Sequence, residues 1–559
     1  MQATWKVHPA DPQRAERLAR ALNLHPLTGQ LLLNRGVHTA KDAARFLDSN
    51  LECLVDPNVV PDVARGVGRL RRAIQQREPI LIFGDSDVDG LTSSVMLYEA
   101  LRGFDAVVRA RQSNRIVDGY GLPASLVRQV CRSSTKLVIL VDCGTNQPEA
   151  IQQLASHGID TIIVDHHVPL EAWAHPYALI NPHRDPSGPL RELSSAGLAL
   201  KLIQALVGGV TDARFTACLD LAALGLLADY APLIGESRVI IEAGLARIVH
   251  SHRRGLRQLC EVTETTKADP EQIARRLVPR LNACGRLGDP GAVWRLLLSE
   301  RDANGAFDEW MAQTQAAHAA TKQLHRQIIP EAYEQVNRLN FRDQYVLVVS
   351  RSGWHQGLMG PLAAQLAQRY GRPTIAIAMD EQHGTGSGRS IPCFNLLDAL
   401  KACQGLLVRF GGHAQACGLT VERKHLEPFR ALVNQHAKAM LGRDGLMKTR
   451  MIDLELPLSE LTSRWIEEAE RFAPFGHGNV RPTVVIRGVT IETRSPRSAI
   501  LAHGMIRLLG KGAALSDVTP TGRYDVVATP TSVEGVLGLT VSDVKGSTAL
   551  SGLGQTSGS

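Results

Sequence analysis

Three short stretches in the first half of the sequence each place carboxylates or histidines directly after an apolar run: Phe83-Gly84-Asp85-Ser86-Asp87-Val88-Asp89-Gly90, Val141-Asp142-Cys143-Gly144 and Val164-Asp165-His166-His167. The preceding runs, Ile80 to Phe83, Leu137 to Val141 and Thr161 to Val164, are β-branched or apolar without polar alternation, as strands buried on both faces of a parallel sheet read. Polar groups at the carboxyl ends of such strands converge on one crevice. Clustered anions repel unless a cation neutralises them, so the stretches together predict a site for divalent metal ions. An imidazole among several carboxylates suits Mn2+ or Mg2+ better than structural zinc, which prefers closed nitrogen and sulfur cages. Two such ions about 3.5 to 4 Å apart would activate a water and steady the leaving oxygen of a phosphoester.

If the chain is extended there, Asp85, Asp87 and Asp89 face one side, and Gly90 lets it turn into a helix. The same residues also resemble the start of a calcium-binding loop, but the closing position that needs a bidentate glutamate is Met96.

With 559 residues, 44% of them hydrophobic, the chain is too long for one compact core, and three or four domains are expected. Ala15 to about Arg77 is helical in pattern and reads as an N-terminal segment packed on the first strand. Helix and strand patterns then alternate through Asn181, a doubly wound α/β layout. Helices follow to Leu287, and Ala303 to Arg338 reads as a connecting helix. A second α/β unit begins at Tyr345 and ends in two glycine-rich elements, Gly384 to Ser390 and Phe410 to Gly418. Runs like these let backbone amides approach an anion, and Arg389 offers a fork matched to phosphate. After Lys448, short strands and turns indicate a small β-barrel. It reads as trimmed, because Leu509 to Gly512 passes quickly to Tyr524. The expected divisions are therefore 1–77, 78–298, 299–340, 341–447, 448–545 and a disordered tail over 546–559.

Nine scattered cysteines without a Cys-x-x-Cys pair indicate neither a disulfide framework nor a zinc ribbon, and a reduced, cytoplasmic chain is expected. The first twenty residues carry charges without an apolar core, unlike a signal peptide, and no run is long and apolar enough for a membrane span. The net charge of +7 suits an anionic partner.

The order of these motifs carries a resemblance. Arg35-Gly36-Val37, the Asp85 cluster, Asp118-Gly119-Tyr120-Gly121-Leu122, Asp142-Cys143-Gly144, Asn181-Pro182, Ala228-Asp229, Asn282 to Leu287, Gly353 to Gly357, Gly386 to Ser390, Gly411 to Gly418 and Pro474 to Asn479 resemble the DHH phosphoesterases. That family is named for the triplet seen here as Asp165-His166-His167. Within it, the link from Pro474-Phe475-Gly476-His477-Gly478-Asn479 to a barrel is similar to the RecJ single-strand-specific exonucleases. The resemblance implies a DHH domain, a connecting helix, a DHHA1 domain and an oligonucleotide-binding (OB) fold. The implied reaction is 5′-to-3′ hydrolysis of single-stranded DNA to mononucleotides, in repair and recombination, with two Mn2+ or Mg2+ ions.

Carried over by resemblance, Asp85, Asp87, Asp142, His166 and Asp229 correspond to the metal ligands, with Asp87 and Asp142 the candidates to serve both ions. His167 corresponds to a contact on the scissile phosphate, and Asp89 and Asp165 to residues that orient ligands. Arg115, Arg280, Arg286, Ser387, Arg389 and His413 correspond to groups that hold backbone phosphates, while Trp354 and His355 read as structural. Departures from the family pattern include Ser86, usually aromatic, Asn114, Gly225-Leu226-Leu227, Ser194-Ser195-Ala196-Gly197 and Ser237; every proposed metal ligand is present. The implied partners are single-stranded DNA, a single-strand-binding protein and a helicase, and a monomer is expected. Two other readings stay open on sequence: a DHH hydrolase of short oligonucleotides or small phosphoesters, and a non-catalytic single-strand-binding paralogue. Aromatic residues are 4% of the chain, so phosphate contacts should outweigh base stacking and binding should be strongly salt-dependent.

Overall fold

The structure, a computed structural model, describes residues 4–547 apart from 49, 171–172, 299–305, 342, 443, 447–448, 517, 519–521 and 534–535. Two compact bodies are present, one of Asn50–Met447 and one joining Met1–Ser49 to Lys448–Ser559.

In the larger body, β1 (Ile80–Gly84) leads into α1 (Val88–Arg102), followed by β2 (Val108–Gln112), β3 (Leu137–Val141), β4 (Asp160–Val164) and β5 (Ala178–Ile180). These strands form a sheet of order β2-β1-β3-β4-β5, and every pairing is parallel. Alternate residues feed two cores on opposite faces: Ile80, Ile82, Ile139 and Val164 enter one, and Leu81, Phe83, Leu140 and Ile163 the other. Burial on both faces is why these strands read as unbroken apolar runs. The chain leaves β1 for β2 on one side and returns to β3 on the other, so the strand order switches between β1 and β3. That is where an open α/β sheet presents its crevice.

Helices α2 (Ser195–Val207), α3 (Leu219–Ala228) and α4 (Val278–Leu287) close over the sheet, and α5 (Phe307–Asn337) follows. A fully buried guanidinium ties this layer down. Arg253 donates to Asp220 at 3.2 Å, to Glu99 at 2.9 Å, and to the Leu297 and Ala217 carbonyls at 2.8 and 3.1 Å. Asp220 opens α3 and Glu99 lies on α1, so the ion pairs fix the two helices that lead to the crevice.

The second sheet comprises β6 (Leu347–Ser352), β7 (Thr374–Met379), β8 (His383–Arg389), β9 (Leu407–Gly412) and β10 (Ala416–Glu422), in the order β9-β10-β8-β7-β6. This corrects the reading of the glycine-rich runs as anion-cradling loops. The first is β8, an interior strand paired on both edges, so its amides belong to the ladder. Its glycines answer to packing: a Cβ at Gly384 would lie 2.4 Å from Met379 Sδ, and one at Gly388 2.5 Å from Leu396 Cδ2.

In the smaller body, β11 (Leu454–Glu455) pairs with β12 (Val484–Ser495), and β13 (Ser498–His503), β14 (Ile506–Lys511), β15 (Tyr524–Val533) and β16 (Val536–Gly546) complete the sheet. The order β12-β13-β14-β16-β15 closes through β12–β15, making a five-stranded barrel. The barrel is thus complete and not trimmed; β13, with its alanines, escaped the sequence pattern. β16 runs through Gly546, so residue 546 ends a strand and does not begin a tail; 548–559 lie outside the described residues.

The N-terminal segment also divides, contrary to expectation. Val63–Gln75 packs on the first sheet, but Pro12–Ala21, Pro26–Asn34 and Ala40–Leu47 share a core with the barrel. Glu468 accepts from His25 N at 2.8 Å and Thr28 Oγ1 at 2.6 Å. Arg35 pairs with Asp453 and donates to Val480 O at 2.8 Å, while Asn479 Nδ2 bonds the Phe472 carbonyl at 2.7 Å. The Arg35 and Asn479 motifs are thereby explained as one clamp. Among the described residues no helix is long and apolar enough to cross a membrane.

Replacing Arg253 with methionine strands two acidic groups, and breaking a buried pair in this way costs about 3–5 kcal/mol. Chemical denaturation should show the loss in the larger body, whereas an unchanged midpoint would show that the pairs contribute nothing net.

Candidate metal centre

Asp85 follows β1 directly, Asp87 is the N-cap of α1 with its carboxylate 3.2 Å from Gly90 N, and Asp89 lies in the first turn of that helix. The three are therefore not on one extended strand as the sequence suggested. They converge because the chain turns into α1 at the Asp87 N-cap, and Gly90 in the first turn lets the helix pack against the Asp85 backbone, where a Cβ would lie 2.6 Å from the Asp85 carbonyl. Asp142 follows β3 directly with φ of 60°, in the left-handed region that aspartate enters more readily than most side chains. His166 and His167 follow β4, and Asp229 is the C-cap of α3.

Among the described residues four overlapping donor sets result, one of them His166, His167 and His413 and another Asp142, Asp165 and His167; the other two centre on the carboxylates. Oxygens of Asp85, Asp87 and Asp142 lie within 4.8 Å of one another, as do donor atoms of Asp89, Asp142 and His166. His166 Nε2 stands 3.4 Å from Asp142 and 3.7 Å from Asp229, so Asp142 belongs to both. Asp89 is saturated from the other side by α2: Ser194 Oγ, Ser195 N and Ala196 N donate to it at 2.7, 2.9 and 2.9 Å. Ser195 Oγ also donates to Asp142 at 3.0 Å.

His167 Nδ1 is 2.7 Å from Asp165, which also accepts from Thr145 N at 3.1 Å. That pairing assigns the proton to Nδ1 and leaves Nε2 facing outward. Tyr120 approaches the same imidazole, its hydroxyl 3.2 Å from Nδ1. His413, from the turn between β9 and β10, stacks on both histidines with centroids at 5.1 and 4.9 Å. Its Nε2 is buried without a hydrogen-bond partner.

The charges disclose what the cluster demands. Burial, then Asp229, pushes the Asp89 carboxyl up to about 7. Burial and the Asp87 and Asp89 charges raise Asp142 well above the usual carboxylate range. Against burial, Asp229, Asp142 and Asp89 hold the His166 imidazole well above its ordinary value. The His167 pairing holds Asp165 below the usual range despite its burial. Such carboxylates are at rest only with a proton or a cation among them, and oxygen donors with one imidazole fit a hard divalent ion.

Of the basic groups named from sequence, Arg115 meets the cluster itself: it pairs with Asp85 and lies 3.0 Å from Asp87. Arg286 and Arg389 are half-buried neighbours, and burial with the nearby Arg389 charge brings Arg286 down to about 10. Like charges held together in this way suit an anion between them. Ser387 and Arg389 share one face of β8, and a Cβ at Gly360 would press to 3.3 Å on Arg389 Nη2. Arg280 is not brought to the cluster. Six residues before Arg286, it projects from another side of α4 and bonds the Arg276 carbonyl at 2.9 Å. Trp354 is buried and donates to Glu331 at 2.7 Å, and His355 accepts from Gly357 N at 3.2 Å.

Sequence reasoning passed over Ser113, Ser194, Ser195 and Asn282 as positioning groups. Ser113 Oγ donates to Asp85 at 2.7 Å, and Asn282 Oδ1 accepts from Val88 N at 3.1 Å. Gly285, one turn on, lets α4 approach the acidic loop, since a Cβ there would lie 2.3 Å from the Ser86 carbonyl. Hints existed in the Asn282 to Leu287 motif and the Ser194 to Gly197 departure.

Comparison with known proteins agrees with this architecture. Residues 79–226 match the DHH family N-terminal domain, 343–439 the DHHA1 domain and 452–514 the RecJ OB domain. A single-stranded-DNA-specific exonuclease RecJ of Dickeya dadantii is 32% identical, with 89% of each chain covered. Its Bacillus subtilis counterpart is also 32% identical over 92% of this chain, which spans 65% of that relative's length. The crystal structure of RecJ in complex with Mn2+ from Thermus thermophilus superposes with a TM-score of 0.82 at 25% identity, covering 98% of this chain and 80% of that one.

Because a proton on the cluster around Asp142 disfavours a cation there, and Asp89 beside it gives up its proton near pH 7, Mn2+ affinity should rise with pH through that value, by up to about tenfold per pH unit for each proton displaced. Calorimetry in two buffers of different ionisation enthalpy should register proton release. A pH-independent affinity without release would refute this charge assignment.

Proposed function

Since the chain belongs to the RecJ family of DHH-domain exonucleases, we propose that it hydrolyses single-stranded DNA stepwise from the 5′ end to mononucleotides, with Mn2+ or Mg2+ as cofactor. The observation that carries this reading is Asp142 at the switch point of the sheet, grouped with Asp85 and Asp87 on one side and, on the other, within 3.4 Å of the His166 imidazole, which also approaches Asp229 to 3.7 Å. Asp85, Asp87 and Asp142 would hold one ion, and Asp142, His166 and Asp229 the other. When bound, such ions supply a nucleophilic water near neutral pH and stabilise charge on the phosphoryl oxygens.

The remaining residues position and bind. Asp89, saturated by the start of α2, fixes the first turn of α1 and with it Asp87. Asp165 holds the His167 ring so that Nε2 faces the scissile phosphate. The Arg286 and Arg389 pair, with Ser387 beside it, receives a further phosphate. His413 is a neutral imidazole, brought down to about 2 by burial and the neighbouring histidines, so it offers a hydrogen bond to phosphate without adding charge. The complete barrel favours long strands over short oligonucleotides, and the retained carboxylates speak against a purely binding paralogue. A monomer acting on cytoplasmic DNA in repair and recombination, supplied by a helicase and a single-strand-binding protein, is the setting this activity implies.

Purified protein with Mn2+ should release labelled mononucleotide at once from 5′-labelled single strands and only late from 3′-labelled ones. Asp142→Ala should abolish release, and Asp165→Asn should slow it by about 10- to 100-fold. Intact substrate beside a working control nuclease, or early release of the 3′ label, would contradict the proposal.

A further inference from the structure

Aromatic side chains are scarce here: eleven phenylalanines, eight tyrosines and six tryptophans in 559 residues. Among the described residues only two of these rings are exposed, Tyr120 at 41% and Tyr230 at 71%. Both stand beside the carboxylate cluster. Tyr120 is engaged there, edge-on to the His167 ring with centroids 5.5 Å apart. Tyr230 follows Asp229 directly, just beyond the end of α3.

Its backbone is unusual as well. A φ of 56° places Tyr230 in the left-handed region, which bulky side chains avoid. The bond from Ala231 N to the Leu226 carbonyl, at 3.0 Å, closes the turn that imposes it. With Tyr230 N on the Leu227 carbonyl at 3.4 Å, the turn is a left-handed helix C-cap, and it carries the residue after Asp229 off the end of α3. Arg286 and Arg389 both lie near enough to feel the phenol, so Tyr230 neighbours the arginine pair as well as Asp229. With a relative exposure of 71%, the residue leaves aromatic surface open to solvent next to a metal-ligand position.

Resting on the reading that the substrate is a single strand cut from its end, we propose that Tyr230 is the stacking surface for the terminal nucleobase. Stacking on an aromatic face is tolerant of base identity, because every base presents a π-face. That suits an exonuclease that must accept each base in turn. Tyr230 is thus a substrate-binding residue placed beside the metal ligand Asp229, and it supplies the base contact that phosphate-holding arginines lack.

The test is a binding cycle with the full chain, in chelator so that strands stay whole, using fluorescence anisotropy of a 3′-labelled strand with either a normal or an abasic 5′-terminal nucleotide. For the unaltered protein, removing the base should weaken binding by about five- to a hundredfold. Tyr230→Gly, which accepts the left-handed backbone without strain, should weaken binding to the normal strand by the same factor and show no further loss on the abasic one. Tyr230→Phe should behave as the unaltered protein. A Tyr230→Gly variant that still distinguishes the two strands fully would overturn the proposal, as would a Tyr230→Phe variant that behaves like Tyr230→Gly, since the hydroxyl and not the ring would then carry the contact. If the unaltered protein binds neither strand saturably, the single-strand reading itself falls, and this role with it; saturable binding with no effect of the ring sinks this role alone.

Discussion

Mutual repulsion among carboxylates gathered around Asp142 is the constraint to which much of the larger body answers. A parallel sheet delivers Asp85 and Asp142 to one crevice because its strand order switches between β1 and β3. The same low-dielectric surroundings that make the strands stable make the charges costly to hold. The protein meets that cost locally: Ser194, Ser195 and Ala196 bond Asp89, Ser113 and Arg115 bond Asp85, and Asp142 accepts the Ser195 hydroxyl. What these donors leave uncompensated is a demand for cations.

The surrounding elements then serve as a positioning frame. Helix α4 lies close against the acidic loop through Gly285, and its next residue, Arg286, is approached as closely by Gly357, where a Cβ would lie 2.0 Å from the Arg286 carbonyl. The turn that follows β6 is thus in contact with the helix that braces the metal-binding loop, and the second sheet also sends His413 to the two histidines. Phosphate-holding groups and metal-holding groups are in this way parts of one packed body.

Much of this was legible in the sequence where burial leaves an unmistakable trace. Strands covered on both faces appear as unbroken apolar runs, and the acidic groups at their ends are improbable without a ligand. The glycine-rich strand β8 was not legible, because glycine carries no strand propensity and its place is dictated by Met379, Ile377 and Leu396 from other segments. The partnership of residues 1–49 with the barrel was equally hidden, since Arg35 and Asp453 are 418 residues apart. Arg280 and Arg286 look equivalent in sequence, and only their positions around α4 separate them. Tyr230 carried no signal at all before its exposure and backbone conformation were known.

The central claim is that Asp142 is shared by two cation sites. Anomalous diffraction at the manganese edge, from crystals of this chain grown with Mn2+, tests it most directly. The account predicts two peaks about 3.5 to 4 Å apart, both within coordination distance of the Asp142 carboxylate, one beside Asp85 and Asp87 and the other beside His166 and Asp229. A single peak, or peaks that leave Asp142 uncoordinated, would contradict it.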